Sequence, residues 1–269
     1  MGVPPPNPPA EDRSMTQLPL FYRAVVPLDR EGHRGLRLAN PQRFGFARGS
    51  HLVPAVVDEF AAACRHLPIL FLPESLGPTP VFLTGLVPGR SALVSEDGTW
   101  TGRYLPAYLR RFPFILGESE GRPALVCLDD TAEGVLREED AGESLALFGE
   151  DGAQTPPLQE RVRLVADYAE AAKRTGALGR VLQDLGLLRG VTLHGKDPAT
   201  GESHALHGAL VVDEGALNGL SDEVFLRLRR EGWLAAISAH LVSLQAIGDF
   251  ALTFAPPAPA NAESLGEAA

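Results

Sequence analysis

Residues 158–188, LQERVRLVADYAEAAKRTGALGRVLQDLGLL, are followed by VTLH at 191–194 and ALHGALVV at 205–212. Val162, Val165, Tyr168, Ala172, Leu178, Val181, Leu182, Leu185 and Leu188 recur at helical spacing. The first segment therefore reads as a long helix, with Thr175-Gly176 as a candidate break into two. The other two read as strands, joined by the turn-rich GKDPATG at 195–201 into a hairpin with a long loop. A helix followed by a hairpin breaks any regular βαβ alternation. The expected class is α+β, with an antiparallel or mixed sheet built from the first half and this late hairpin, packed by helices mainly from the second half.

Downstream, 213–220 reads as a short helical or turn segment. Ser221 then caps a helix through Arg230, Gly232 interrupts, and 233–247 forms the last helix. Upstream, residues 18–28 suit an edge strand or extended arm. Leu36 and Leu38, then Phe44 and Phe46, alternate as two short strands split by Asn40-Pro41. Residues 54–66 read as a helix and 69–72 as a buried strand. Residues 81–86 and 92–95 read as a strand pair around Pro88-Gly89. A helical turn is expected within 103–111, an extended exit at 114–116 and a strand at 124–128. Residues 135–150, with the charge run at 137–140, read as a solvated helix face or loop. One domain over 18–254 is expected, with Pro156-Pro157 as a possible internal joint. Tails at 1–17 and 255–269, rich in proline, are expected to be disordered, and Met15 offers an alternative start.

The 269 residues are 45% hydrophobic and carry a net charge of -10, which argues against a nucleic-acid binder or a protein drawn to anionic lipid. No secretory pattern and no apolar run long enough to span a membrane occurs, so a cytoplasmic location without membrane insertion is expected. Cys64 and Cys127 read as small buried hydrophobes.

Catalytic motifs are thin. GVTLHGKD at 190–197 has the spacing of a phosphate-binding loop, but Asp197 replaces the hydroxyl residue that ligates magnesium, and Pro198 disfavours the helix that must follow. No dinucleotide fingerprint, nucleophile elbow, paired cysteine motif or H-E-x-x-H is present. His194, His204 and His207 gather on the hairpin, either as polar strand-end residues or as a weak metal site; the former is the simpler account. No cofactor and no metal is expected.

The densest stretch of informative side chains is 97–114, DGTWTGRYLPAYLRRFPF. Trp100, Tyr104 and Tyr108 are either contact anchors or core plugs against Trp233, with Tyr104 and Tyr108 on one face if helical. Arg110 and Arg111 either grip a carboxylate or phosphate, or form a solvated pair bridged to Glu118 or Glu120. His33, Glu59, Asp129 and His240 complete the candidate binding set; catalytic residues are unassigned.

The W-x(3)-Y-x-P-x(3)-R-R-x-P-F pattern at 100–114 stands with His33, Phe44-Gly45-Phe46-Ala47, Glu59-Phe60, Leu128-Asp129, Gly232-Trp233-Leu234 and His240-Leu241. Together, over roughly residues 18–254, they resemble the SapC family, named from a bacterial S-layer gene cluster and distinct from the peptide-transporter permease of that name. The resemblance implies a cytoplasmic protein of Gram-negative bacteria. It also implies genes near TonB-dependent receptors, flavin-dependent halogenase-like proteins and cupin-like proteins. It implies no established catalytic residue. Three readings follow. The first is a non-catalytic accessory protein binding an envelope uptake or export partner, or a flavoprotein or oxygenase partner. The second is a small-molecule binder or enzyme with a pocket that no linear motif reveals. The third and weakest is an S-layer assembly or secretion factor. Turnover is the less favoured expectation.

Overall fold

The computed structural model describes residues 18–117, 123–137, 142–197 and 199–255. The expected tails at 1–17 and 255–269 lie outside these residues except for Ala255, whose amide donates to Thr192 O, and Glu118 and Glu120 lie outside them too. Among the described residues twelve strands run in chain order: β1 (Val26–Pro27), β2 (Leu36–Ala39), β3 (Leu52–Pro54), β4 (Ile69–Leu72), β5 (Thr79–Leu83), β6 (Phe114–Gly117), β7 (Leu125–Leu128), β8 (Val135–Arg137), β9 (Ser144–Ala146), β10 (Leu188–Lys196), β11 (Ser203–Val212) and β12 (Leu252–Phe254). The helices are α1 (Phe60–Ala63), α2 (Ala107–Arg111), α3 (Pro156–Asp184), α4 (Glu214–Asn218), α5 (Asp222–Arg230) and α6 (Trp233–Ser243).

The strands form a six-stranded sheet, ordered β12-β10-β11-β4-β5-β3, and two three-stranded sheets, β1-β7-β6 and β8-β2-β9. Every strand pairing among the described residues is antiparallel. The class is α+β, and the mixed-sheet alternative falls away. The hairpin registers Leu188 against Val212 and Lys196 against Ser203, with a shift between Val191 and Leu193. There His207 and Gly208 oppose Thr192 alone, and Gly208 takes φ +78°, the left-handed geometry that a bulge of this kind asks of glycine.

α3 is one unbroken helix, opened by the two prolines at its first turn, where their missing amides cost nothing. The expected break at Thr175 does not occur because that side chain joins α3 to a neighbour. Thr175 Oγ1 donates to Ala171 O at 2.7 Å and accepts from Val57 N at 2.9 Å. Gly176 is followed one turn later by Gly179, where a Cβ would lie 2.2 Å from Pro78 O, so only glycine lets α3 lie this close to the residue that leads into β5. Thr175→Val keeps the shape and removes the acceptor. The expected cost is about 1–2 kcal/mol in a denaturant melt, the size of one unpaired, partly buried amide.

α3 crosses three hydrophobic clusters. Leu178 and Leu182 join the main core with Phe71, Phe82 and Ile237. Tyr168 and Ala171 meet Phe44, Val56 and Leu109. Leu158 and Val165 meet Phe114, Leu128 and Leu147. Each fully buried Leu or Phe contributes roughly 1.5–3 kcal/mol, so a single helix ties all three sheets together.

Other expectations need correction. Residues 44–46 are not a strand: a 3-10 turn spans Gly45–Ala47, held by Phe44 N donating to Gly98 O at 2.7 Å. The helix expected over 54–66 shrinks to a 3-10 turn at Val57–Glu59 and the short α1, because Pro54 and its neighbours pair in β3. Residues 92–95 keep one bridge, Val94 to Trp100, and no strand. Residues 135–150 carry β8 and β9, which sandwich β2; part of the charge run lies outside the described residues. The last helix ends at Ser243 and tightens to a 3-10 segment over Leu244–Phe250. Cys127 is buried, but Cys64 is only half-buried; both thiols are free.

Candidate functional site

Glu59 closes the 3-10 turn before α1 and points inward, only 5% exposed. Its Oε1 accepts from Tyr104 Oη at 2.7 Å and from Ala107 N at 2.6 Å, and Arg110 Nη2 lies 3.7 Å away. Ala107 opens α2, so its amide is one the helix leaves unpaired, and Glu59 caps it from 48 residues away. Oε2 is buried with no hydrogen-bond partner among the described residues. Burial pushes the Glu59 carboxyl above its usual range, while the Tyr104 and Ala107 hydrogen bonds oppose that rise. Burial and then the Glu59 charge push the Tyr104 phenol up.

Around this carboxylate the 97–114 stretch is knitted to itself. Trp100 Nε1 donates to Tyr104 O at 3.0 Å, and Arg110 Nε donates to Leu105 O at 3.1 Å. Tyr104 precedes α2, so the expected common helical face with Tyr108 does not form. Tyr104 shares the main core with Trp233, whereas Trp100 and Tyr108 belong to the second cluster. Trp100 and Tyr104 are half-buried and Tyr108 is buried.

Arg111 is not solvated. It is 7% exposed, with Cζ 4.2 Å from the Tyr168 ring centroid, 4.5 Å from Tyr108 and 5.8 Å from Tyr22. No carboxylate pairs with it among the described residues, and its Nε has no hydrogen-bond partner. Ring faces carry negative potential, so three of them offset part of the lost hydration. The chain has four tyrosines, and all four serve these two buried charges: three surround Arg111 and the fourth binds Glu59. The solvated arginine pair expected from the sequence is thereby replaced by one caged cation and one cation beside Glu59.

The remaining candidates are dispersed. Asp129, 1% exposed, accepts from the amides of Arg23, Ala24 and Thr131 and from Thr131 Oγ1, anchoring the segment that leads into β1. Burial raises its carboxyl, but these bonds together hold it below the usual range. His240 is fully buried in α6, its Nε2 accepting from Val212 N at 3.0 Å and its ring edge-on to Phe71. His33 Nδ1 accepts from Asp29 N in a surface turn. Of the polar candidates, Glu59, Tyr104 and Arg110 lie together, while His33, Asp129 and His240 lie apart from them. Asp197 is occupied by Ala199 N at 2.9 Å and Arg90 at 2.7 Å, so in place of a phosphate cradle it fastens the hairpin turn.

Of the cavities that the 97–114 stretch lines, two lie near its opposite ends. Thr101, Gly102 and Arg103 line an open cleft of about 750 Å³ with Arg65, His66 and Arg90. Its floor is apolar, with Leu86, Leu93 and Phe250. Arg65 and Arg103 are exposed and make no ion pair among the described residues; Arg90 is bound to Asp197, and Asp249 is the other acid on the wall. Phe112 and Pro113 line a smaller slot of about 240 Å³. Arg65, Arg103, Tyr22 and Tyr168 escaped the sequence reading because each meets its neighbours only in three dimensions.

A family model described as SapC matches residues 28–250. The chain belongs to the SapC family. Both cavities and the Glu59 and Arg111 clusters are formed mainly from the matched residues. No curated protein and no solved structure matches this SapC-family chain. No helix among the described residues is long and apolar enough to cross a membrane.

Proposed function

We propose that this SapC-family chain is a non-catalytic accessory protein, one folded unit over 18–254, that binds an acidic segment of a protein partner in the Arg65–Arg103 cleft. The observation that carries this reading is the pair of exposed, unpaired arginines over an apolar floor, on a chain whose net charge is -10. A local cationic cleft on an acidic protein selects partners by charge and steers their approach. The aromatic face of 100–114 is a poorer contact surface, because its tyrosines and Arg111 are committed inward. Envelope uptake or export proteins, flavoproteins and oxygenases remain the partner classes of this reading, and a cytoplasmic location accompanies it.

Affinity purification of the tagged full-length chain, with bound proteins identified by mass spectrometry, supplies the partner for a direct titration. The double variant Arg65→Glu, Arg103→Glu should bind that partner at least about tenfold more weakly, since desolvated interfacial charge pairs couple by roughly 1.5 kcal/mol or more. Added salt should weaken the unaltered chain in the same direction. Both side chains are exposed, so the variant should melt as the unaltered chain does. Equal affinity in the double variant would remove the cleft from the reading.

A further inference from the structure

The smaller cavity carries an independent inference. The slot beside Phe112-Pro113 has apolar walls from Leu38, Phe46 and Phe112, with Phe46 and Phe112 stacked at a centroid distance of 4.0 Å. Into this surface comes Arg161 from α3, half-buried. Its Nη1 donates to Arg110 O at 2.6 Å and its Nη2 to Gln42 Oε1 at 3.3 Å. Both acceptors are neutral, and Arg161 makes no ion pair among the described residues. A guanidinium has five N–H donors, so several remain free after these two bonds. Arg111, which is buried, has three tyrosine faces in place of a counter-charge; the half-buried Arg161 has no such cage. Arg43, the other cation on the wall, is already paired with Asp97 at 2.8 Å.

We infer that this slot binds a small monocarboxylate with an apolar body, its carboxylate on Arg161 and its body against Phe46 and Phe112. The two bonds from Arg161 to fixed acceptors hold the guanidinium in place before any ligand arrives, which lowers the ordering cost of binding. At about 240 Å³ the slot is below the size of sites that take drug-sized ligands, so the ligand is small. Glu133, exposed on the slot wall, disfavours a second carboxylate.

The test titrates the full chain by calorimetry with 3-phenylpropionate, the dianion benzylmalonate and the cation 2-phenylethylamine. 3-Phenylpropionate should bind saturably, tighter than about 1 mM, and each of the other two at least about tenfold more weakly. Arg161→Lys should weaken 3-phenylpropionate about tenfold, because the planar fork is lost while the charge is kept. Ala39→Phe, which narrows the slot and keeps the Arg161 side chain in the protein, should abolish binding. On the unaltered chain, the Phe46 and Phe112 ring resonances should shift at saturation, a readout that needs no variant to fold. No saturable binding, binding indifferent to Ala39→Phe, equal binding of the amine, or unmoved ring resonances would each overturn the inference.

Discussion

Glu59→Leu should destabilise the protein by about 3 kcal/mol, lowering the melting midpoint by roughly 6–12 °C for a domain of this size. Among the described residues the carboxylate is the acceptor for both Tyr104 Oη and Ala107 N, at 2.7 and 2.6 Å. Leucine fills the space but strands both donors, and each buried unpaired donor costs about 1–3 kcal/mol. The ion pair with Arg110 adds little, because the contact is 3.7 Å and the arginine side chain is 42% exposed. Two variants separate these contributions in the same chemical melts. Glu59→Gln keeps an acceptor and should cost no more than about 1 kcal/mol, since it also removes a poorly solvated charge. Tyr104→Phe removes one donor and should fall between them. An equal loss for Gln and Leu would mean that the charge, rather than the acceptor, holds the segment.

Acidification should weaken the fold through His240. Burial pushes this imidazole down to about 4 from an ordinary 6.5, with the nearby Ile69 backbone opposing weakly. Nε2 accepts from Val212 N, so protonation there would set a donor against a donor. The unfolded chain takes up the proton first. The stabilising contribution is therefore complete above pH 6.5 and lost as pH falls towards 4, a change on the order of 3 kcal/mol. Glu59 acts in the opposite direction: its carboxyl is raised in the folded state, so its contribution is present at low pH and lost as pH rises through the folded value. Asp129, held low, adds stability above its ordinary range and loses it on acidification. Because these overlap, the check is a difference: unfolding free energies of the unaltered chain and His240→Gln measured from pH 7 to pH 4. Between pH 6.5 and 4 the variant should lose about 3 kcal/mol less than the unaltered chain. Parallel curves would show that His240 does not titrate in a buried, neutral form.

The parts of this fold that were legible in the sequence are those set by local pattern. The alternation of Leu36 and Leu38, the apolar run at 69–72 and the hairpin segments at 191–194 and 205–212 all became strands, although the helix expected through Leu188 ends at Asp184 and Leu188 opens β10. Ser221 capped its helix through Val224 N, as its position predicted. What failed depended on distant partners. Phe44 and Phe46 have strand spacing, yet one is tied to Gly98 and the other stacks on Phe112. β8 and β9 exist only because β2, about a hundred residues earlier, supplies their ladder. Nothing local distinguishes Arg110 from Arg111, although one is 42% exposed along its side chain and the other lies among tyrosines from residues 22 to 168. Glu59, Tyr104 and Arg110 lie together in the fold. Their geometry is that of a joint, with a cavity near each end of the 97–114 stretch.

Amide hydrogen exchange at Ala107 tests that view most directly. If Glu59 locks the 97–114 stretch into the core, the Ala107 amide opens only with the molecule as a whole. Its protection should then come within about 1 kcal/mol of the global unfolding free energy and match the slowest amides of α3. Exchange of Ala107 at the rate of an exposed loop, with α3 still protected, would show that the stretch is a mobile surface element and contradict the account.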